Sequence, residues 1–403
     1  MKVVADLHIH SKYALATSRD TDLDHLALGA RAKGITLLGT GDFTHPKWLA
    51  ELREKLEPLS DSALYTYGGR IWMLSAEVST VYEQGGRKRK VHHLIYAPGF
   101  DEVAQVNEII GRHGKLDSDG RPILTGIDSA ELAEAVTGVS SQMVVIPAHA
   151  WTPWFGVFGS KSGFDSLEEC YKDQAGKIFA LETGLSSDPE MNWRLSALDG
   201  LGLMSNSDAH SPNPWRLGRE ANVFDLPAPG YRELFDAVRR RDLTRFLYTV
   251  EVDPSYGKYH YSGHKKCGVS LAPAEAKGLG NRCPKCGKKL TVGVLQRVEE
   301  LADRPEGFRL PGAVPFKRLL PLYEVISFAT GVNRLYAKSV LELQDKLIAR
   351  FGNELAVLVD VPEGILASVV PPRVARAIVG SREGSVKVVP GYDGVYGVPV
   401  FTG

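Results

Sequence analysis

Histidine, aspartate and glutamate residues close seven apolar segments of this chain, in a series that suits metal-ligand chemistry. The first segment starts at Val3 and ends in His8-x-His10. Residues two apart on a strand share a face, so both imidazoles point the same way. The other six end at Asp42, Glu77, the adjacent pair His92 and His93, His149, Glu182, and Asp208 with His210. Donors of this mixture suit Zn, Mn, Mg or Fe, and a shared carboxylate lets such a set hold two or three ions. Ions so held acidify water and neutralise phosphate charge, so hydrolysis of a phosphate ester needs no side-chain nucleophile. Neither a G-x-S-x-G elbow nor a P-loop occurs, so acyl transfer and nucleotide-driven work lack support.

The apolar run ahead of each polar residue is the pattern of a strand buried on both faces with its functional group at the carboxyl end. An α/β barrel of parallel strands, with these residues on its rim, is therefore expected. Adjacent strand residues face opposite ways, so only one of His92 and His93 points inward. Helical stretches alternate with the strands: residues 22–33, ended by Gly34; 46–56, with Pro46 in the first turn; 129–136; and 231–240. Such strand-helix units fill the chain to residue 245. The segment 246–261 then starts as a strand and turns aromatic, which reads as the exit from the barrel.

A chain of 403 residues exceeds the usual single-domain range. Lys plus Arg, at 48, equals Asp plus Glu, at 48, so no global basic excess announces nucleic acid, although a neutral total can hide a local basic face. No apolar run approaches the roughly 18 residues of a membrane span, and the amino terminus enters a strand rather than a signal peptide. No membrane partner and a cytoplasmic location are expected. Three of the four cysteines share one short stretch, which is metal chemistry rather than a disulfide framework.

That stretch is His264-x-x-Cys267 followed by Cys283-x-x-Cys286, a spacing for one structural, four-coordinate zinc within a small domain, residues 246–306. His264 is preferred to His260 as the fourth ligand for its spacing. Lys265, Lys266, Lys285, Lys288 and Lys289 add a basic cluster that suits phosphates or solvent equally. Cys170, alone in a helical stretch, reads as a packed thiol. Residues 307–403 read as a mainly helical domain, with a proline-rich connector at 311–316, helices at 317–330, 333–351 and 371–378, and short strands within 386–401. Gln344, Leu347 and Phe351 have the spacing of a degenerate sliding-clamp peptide, though apolar residues at helical spacing are ordinarily core.

Taken in order, His8-x-His10, Asp42, Glu77, a histidine after the fourth strand, Pro147-x-His149 and Asp208-x-His210 resemble the motif series of the PHP phosphoesterases. The resemblance covers residues 1 to about 245. It implies a distorted seven-stranded (βα)7 barrel with a cluster of two or three divalent ions. The stretches GKYHYSGHKKCG and RCPKCGKKLTVGVLQRVEELADRP, with the helical region after them, extend the likeness over nearly the whole chain to the endonuclease Q family. That resemblance implies a PHP barrel, a zinc knuckle and a carboxyl-terminal domain that together cut DNA beside deaminated bases (uracil, hypoxanthine, xanthine) and abasic sites.

Carried over by position, the resemblance implies that His8, His10, Glu77 and Asp208 hold one ion and that Glu77 bridges to a second held by His93 and His149. His210 and Asp42 would belong to a third position, and Glu182 would ligate an ion or orient an imidazole. Asp208, Glu77 and His210 would bear most directly on catalysis. The commoner pattern has histidine straight after the aspartate of the second strand; here Phe43 stands there and His45 follows two further on.

A deaminated base must leave the stack to be read. Its changed edge then needs an acceptor for a ring N–H and donors for a new carbonyl. The loop 151–164 offers Trp151, Trp154 and Phe155 for stacking and Lys161 for phosphate. Ser186, Ser187 and Asn192 are polar candidates, and Arg216 and Arg219 stand where a phosphate clamp is useful. The competing readings are a small-molecule phosphoesterase of the histidinol-phosphatase type and a barrel kept only as a metal-stabilised binding module. The second zinc motif and the extra domain argue against the former, the intact ligand series against the latter.

Overall fold

The computed structural model describes residues 1–332 and 337–401. Seven of its strands lead to the site: β1 (Lys2–Asp6), β2 (Leu37–Gly39), β3 (Arg70–Gln84), β4 (Arg87–Ala97), β5 (Val144–Pro147), β6 (Ala180–Glu182) and β7 (Gly202–Met204). Parallel ladders join β1 to β2, β2 to β3 and β6 to β7. Single hydrogen bonds complete the circuit: Ala150 N–H donates to the Glu182 carbonyl at 2.9 Å, and His10 N–H to the Ala209 carbonyl at 2.9 Å.

The expectation of seven parallel strands needs correcting at β4, which is antiparallel to both β3 and β5. Only Gly85 and Gly86, both at positive φ (61° and 68°), separate β3 from β4. So short a turn reverses the chain, whereas a parallel neighbour needs a crossover of about a dozen residues.

Period-two alternation fills the circuit. Val3, Ala5, Leu37, Met73, Leu94, Tyr96, Val144, Ile146, Ala180 and Met204 form one buried cluster to which all seven strands contribute. Val4, between Val3 and Ala5, turns to the outer cluster with Leu23, Leu26 and Ala30 of helix α1 (Leu23–Lys33). Asp22 caps α1 through the His25 amide, and Gly34 ends it.

The sheet runs past residue 245. β8 (Ala221–Asp225) pairs with the free edge of β1, β9 (Phe246–Glu251) with β8, and β10 (Phe316–Arg318) with β9. The expected helix over 317–330 is therefore strand first, and helix α2 (Leu322–Thr330) starts only after Pro321, its N-cap. Helices α3 (Lys338–Phe351), α4 (Glu354–Val359), α5 (Glu363–Ala367) and α6 (Pro372–Arg382) follow, then the hairpin Val386–Val389 with Val398–Phe401. Residues 333–336, the start of the expected helix 333–351, lie outside the described residues. Gln344 and Leu347 face the interior of this bundle. Among the described residues, no helix is long and apolar enough to cross a membrane.

One buried ion pair ties the bundle to helix α1. Lys33 Nζ lies 2.7 Å from Glu354 Oε1, which also accepts the Leu322 amide at 3.0 Å, while Gln344 donates to Oε2 at 3.2 Å. Lys33→Met leaves that carboxylate buried without its cation, and a loss of about 3–5 kcal/mol is expected in urea denaturation. Restoration by Lys33→Met/Glu354→Gln would attribute the loss to the stranded charge; an unchanged midpoint in the single variant would refute it.

Candidate metal centre

His8, His10, His149 and Asp208 follow the ends of their strands, whereas Glu77 and His92 lie in the middle of β3 and β4, which corrects the expectation of a carboxyl-end position for those two. His8 Nε2 lies 3.5 Å from Glu77 Oε2 and 3.6 Å from Asp208 Oδ1; His10 Nε2 lies 3.2 Å and 3.1 Å from the same oxygens. The other oxygen of Glu77, Oε1, lies 2.6 Å from His92 Nδ1 and 3.0 Å from His149 Nε2. His8, His10, Glu77 and Asp208 thus form one set and Glu77, His92 and His149 a second, each with its ligand atoms within 4.8 Å of one another. Glu77 sends one oxygen to each, as a bridging carboxylate does.

This geometry fits divalent ions. His8 Nε2 is buried with no hydrogen-bond partner, an unsatisfied atom that a cation would complete. Burial opposes charge on His8 and His10, yet Glu182, Glu77 and Asp208 around the first, and Asp42, Asp208 and Glu77 around the second, hold both well above the ordinary histidine range. Ligation must displace those protons, so ion binding is expected to release them.

A further layer of carboxylates and hydroxyls sets the rings. Both oxygens of Glu182 lie 3.0 Å from His8 Nδ1, and Glu182 also accepts the His149 amide and the Asn206 side chain. Asp42 holds His10 Nδ1 at 2.9 Å and accepts from the Ser11 amide and hydroxyl. Thr152 Oγ1 holds His149 Nδ1 at 2.9 Å. Each imidazole is thereby turned with Nε2 toward the cluster. Asp42 and Glu182, offered by the sequence as ligands, stand behind the rings they orient. Asp42, His149 and Asp208 adopt φ of 48°, 29° and 48°, turns that aim side chains back into the circuit.

His92 joins the cluster and His93 does not, which corrects the choice of His93. Residues opposed in an antiparallel pair share a face; Glu77 opposes Leu94, so His92 shares the face of Glu77 and His93 that of Val78. His93 packs outward between Tyr171 Oη (2.9 Å) and Thr80 Oγ1 (3.0 Å), and burial pushes it down to about 3. His210 lies beside the cluster, its ring 4.5 Å from that of His10 and its Nδ1 held by the Asp208 carbonyl at 2.9 Å.

The residues offered for substrate divide. Trp151 is fully buried and donates to Asn192 Oδ1 at 2.8 Å, and Asn192 also donates to Ser187 and the Asp188 carbonyl. Both serve packing, because indole and amide satisfy each other inside. Ser186 is buried as well. The Phe155 ring lies tilted against that of His92, centroids 4.3 Å apart, and Trp154 is exposed beside Tyr259. Lys161 reaches the Leu290 carbonyl on the cysteine-bearing segment. Arg219 grips the Ser207 carbonyl through two nitrogens, and Arg216 lines a small recess with Trp215, Tyr256 and Glu324. Sequence reading missed Arg121, whose Nη1 lies 3.1 Å from Glu77 Oε2. Its loop carries no strand or helix pattern, so nothing aligned it with the ligand series.

Residues 321–385 match the family described as the MJ0043 C-terminal domain. The uncharacterized protein MJ0043 of Methanocaldococcus jannaschii is 35% identical over 255 residues, 62% of this chain and 31% of that protein, so the chain spans about a third of its length. The uncharacterized protein YqxK of Bacillus subtilis is 30% identical over 98% of both chains. A crystal structure of the lesion-specific endonuclease PfuEndoQ from Pyrococcus furiosus superposes with a TM-score of 0.89 at 35% identity, over 100% of this chain and 96% of that one. Endonuclease Q in complex with a 27-mer duplex substrate, an abasic lesion at its active site, superposes equally well, with a TM-score of 0.89 at 35% identity over 100% and 97%. This chain belongs to the endonuclease Q family. With that family it is placed among the nucleases, and its clustered side chains could hold metal ions.

In this endonuclease Q family member the knuckle residues also meet. His264, Cys267, Cys283 and Cys286 bring their ligand atoms within 4.8 Å of one another, with His264 Nδ1 3.4 Å from Cys286 Sγ. His260 is buried elsewhere, stacked on Tyr261 and pushed down to about 4 by burial. Cys170 is a packed thiol, raised to about 12 by burial.

Proposed function

We propose that the chain is a DNA repair endonuclease that hydrolyses the phosphodiester 5′ of deaminated bases and abasic sites, with the lesion nucleotide turned out of the duplex. The observation that carries this reading is the whole-length likeness to an endonuclease Q bound to a lesion-bearing duplex. The Glu77-centred ligand set supports it. Two or three divalent ions held by His8, His10, Glu77, His92, His149 and Asp208 would supply an acidified water and positive charge at the phosphate. Glu182, Asp42 and Thr152 keep the ring nitrogens of His8, His10 and His149 aimed inward. His210 spends Nδ1 on the Asp208 carbonyl and turns Nε2 away from that bond, as an acceptor beside the cluster or a ligand for a third ion. Phe155, tilted against His92, and exposed Trp154 offer the faces on which an extruded nucleotide can lie.

Labelled duplexes carrying one uracil, hypoxanthine, xanthine or abasic site, incubated with the protein and Mg or Mn, test the reading. The expected product is a nick 5′ of the lesion with a 3′-hydroxyl and a 5′-phosphate, the base still attached. Release of free base would overturn it. So would activity confined to small phosphomonoesters, the behaviour of a histidinol-phosphatase-like enzyme.

A further inference from the structure

We infer that Arg121 grips the phosphate that is cut. Among the described residues, Arg121 is the one arginine ion-paired to a member of the cluster: Nη1 lies 3.1 Å from Glu77 Oε2, the oxygen that also faces His8 and His10. Its side chain is 26% exposed, so the guanidinium spans the wall of the site and its mouth. Asp208 adds to the field that holds it charged.

The loop delivers this side chain rigidly. Pro122 O accepts the Ser79 amide at 3.0 Å, the Gly120 amide donates to the Tyr13 carbonyl at 3.2 Å, and Thr44 Oγ1 donates to the Gly120 carbonyl at 3.0 Å. Gly120 lies flat on Asp42: a Cβ there would stand 2.3 Å from Asp42 Oδ2. The backbone before Arg121 is thus pinned to β3 and to the carboxylate that orients His10. Of the two arginines the sequence offered as clamps, Arg219 is committed to the Ser207 carbonyl and Arg216 lines a recess with Glu324.

The chemistry follows from charge. Oε2 of Glu77 belongs to the first ligand set, and a cation held there would take over the neutralisation that Arg121 provides. The guanidinium fork is then free for two oxygens of a phosphodiester beside the cluster, a bidentate contact that lysine cannot reproduce. Such a group, placed where negative charge grows in the transition state, contributes a factor of roughly 10²–10³.

This inference rests on the nuclease reading, and the experiment separates the two. Wild type, Arg121→Ala and Arg121→Lys are assayed with Mn on an abasic duplex and on bis(4-nitrophenyl) phosphate, alongside bound-metal content and thermal melting. The expected result is a loss of about 100-fold in kcat/KM for Arg121→Ala on each diester that wild type hydrolyses. Metal content and melting stay at the wild-type values, Arg121→Lys recovers part of the activity, and the salt slope of duplex binding falls by about one. Cutting by Arg121→Ala within threefold of wild type would overturn the inference alone, and so would a loss that tracks departure of the bound ions. Absence of diester hydrolysis by wild type would fell the nuclease reading and this inference with it.

Discussion

Asp208→Asn is expected to abolish lesion cleavage while leaving the protein folded and able to bind DNA. Asp208 Oδ1 stands 3.1 Å from His10 Nε2 and 3.6 Å from His8 Nε2, so the amide removes a ligand charge from the centre of the first set. The fold tolerates the change. Asp208 sits at a φ of 48°, a left-handed conformation that asparagine adopts almost as readily, and the two side chains have the same shape. Loss of a charged ligand removes several kcal/mol of transition-state stabilisation, or more than about 10²-fold in rate. Nicking of an abasic duplex, read beside a melting curve, checks it. Retention of more than about a tenth of wild-type activity would remove Asp208 from the catalytic cluster.

Cys283→Ser is expected to cost one zinc per chain and a large part of the stability of its segment. The knuckle has almost no core of its own: Val269, Ala276, Cys283 and Leu290 are its buried apolar side chains. So small a cluster cannot offset the ordering entropy without a metal staple, and a zinc held by such a set contributes about 10–16 kcal/mol of binding that is also folding energy. The damage should travel. Ser160 Oγ donates to the Val292 carbonyl at 3.0 Å, and Arg297 donates to the carbonyls of Phe158 and Phe164. That loop carries Phe155 onto His92. Zinc analysis with a thermal melt tests this, and cleavage is expected to fall as well; unchanged zinc and melting temperature would remove the structural site.

Where local chemistry decides the structure, the sequence was legible. Asp22 and Gly34 bracket α1 as cap residues do, and the apolar runs before the polar residues mark the strands of the circuit. What was missed depends on pairing. No turn was read at Gly85 and Gly86, and their consequence, an antiparallel β4 with His92 facing Glu77, emerges only when strands are placed opposite one another. Trp151 was read as a stacking face and Asn192 as a polar contact for a base; indole and amide satisfy one another in the interior instead. Arg121 was invisible for a different reason: a loop residue takes its position from distant groups that pin it, here the Tyr13 carbonyl, the Thr44 hydroxyl and the Ser79 amide.

The circuit of strands is closed by residues from opposite ends of the barrel sequence: the His10 amide meets the Ala209 carbonyl, and the Ser207 amide meets Asp6. Closing so long a loop is slow and entropically costly, and local contacts form before it. A chain leaving the ribosome therefore carries His8 and His10 long before their partner exists. Until Asp208 has emerged, the set of His8, His10, Glu77 and Asp208 cannot be complete, so the residues that could hold an ion meet only once the circuit of strands has closed.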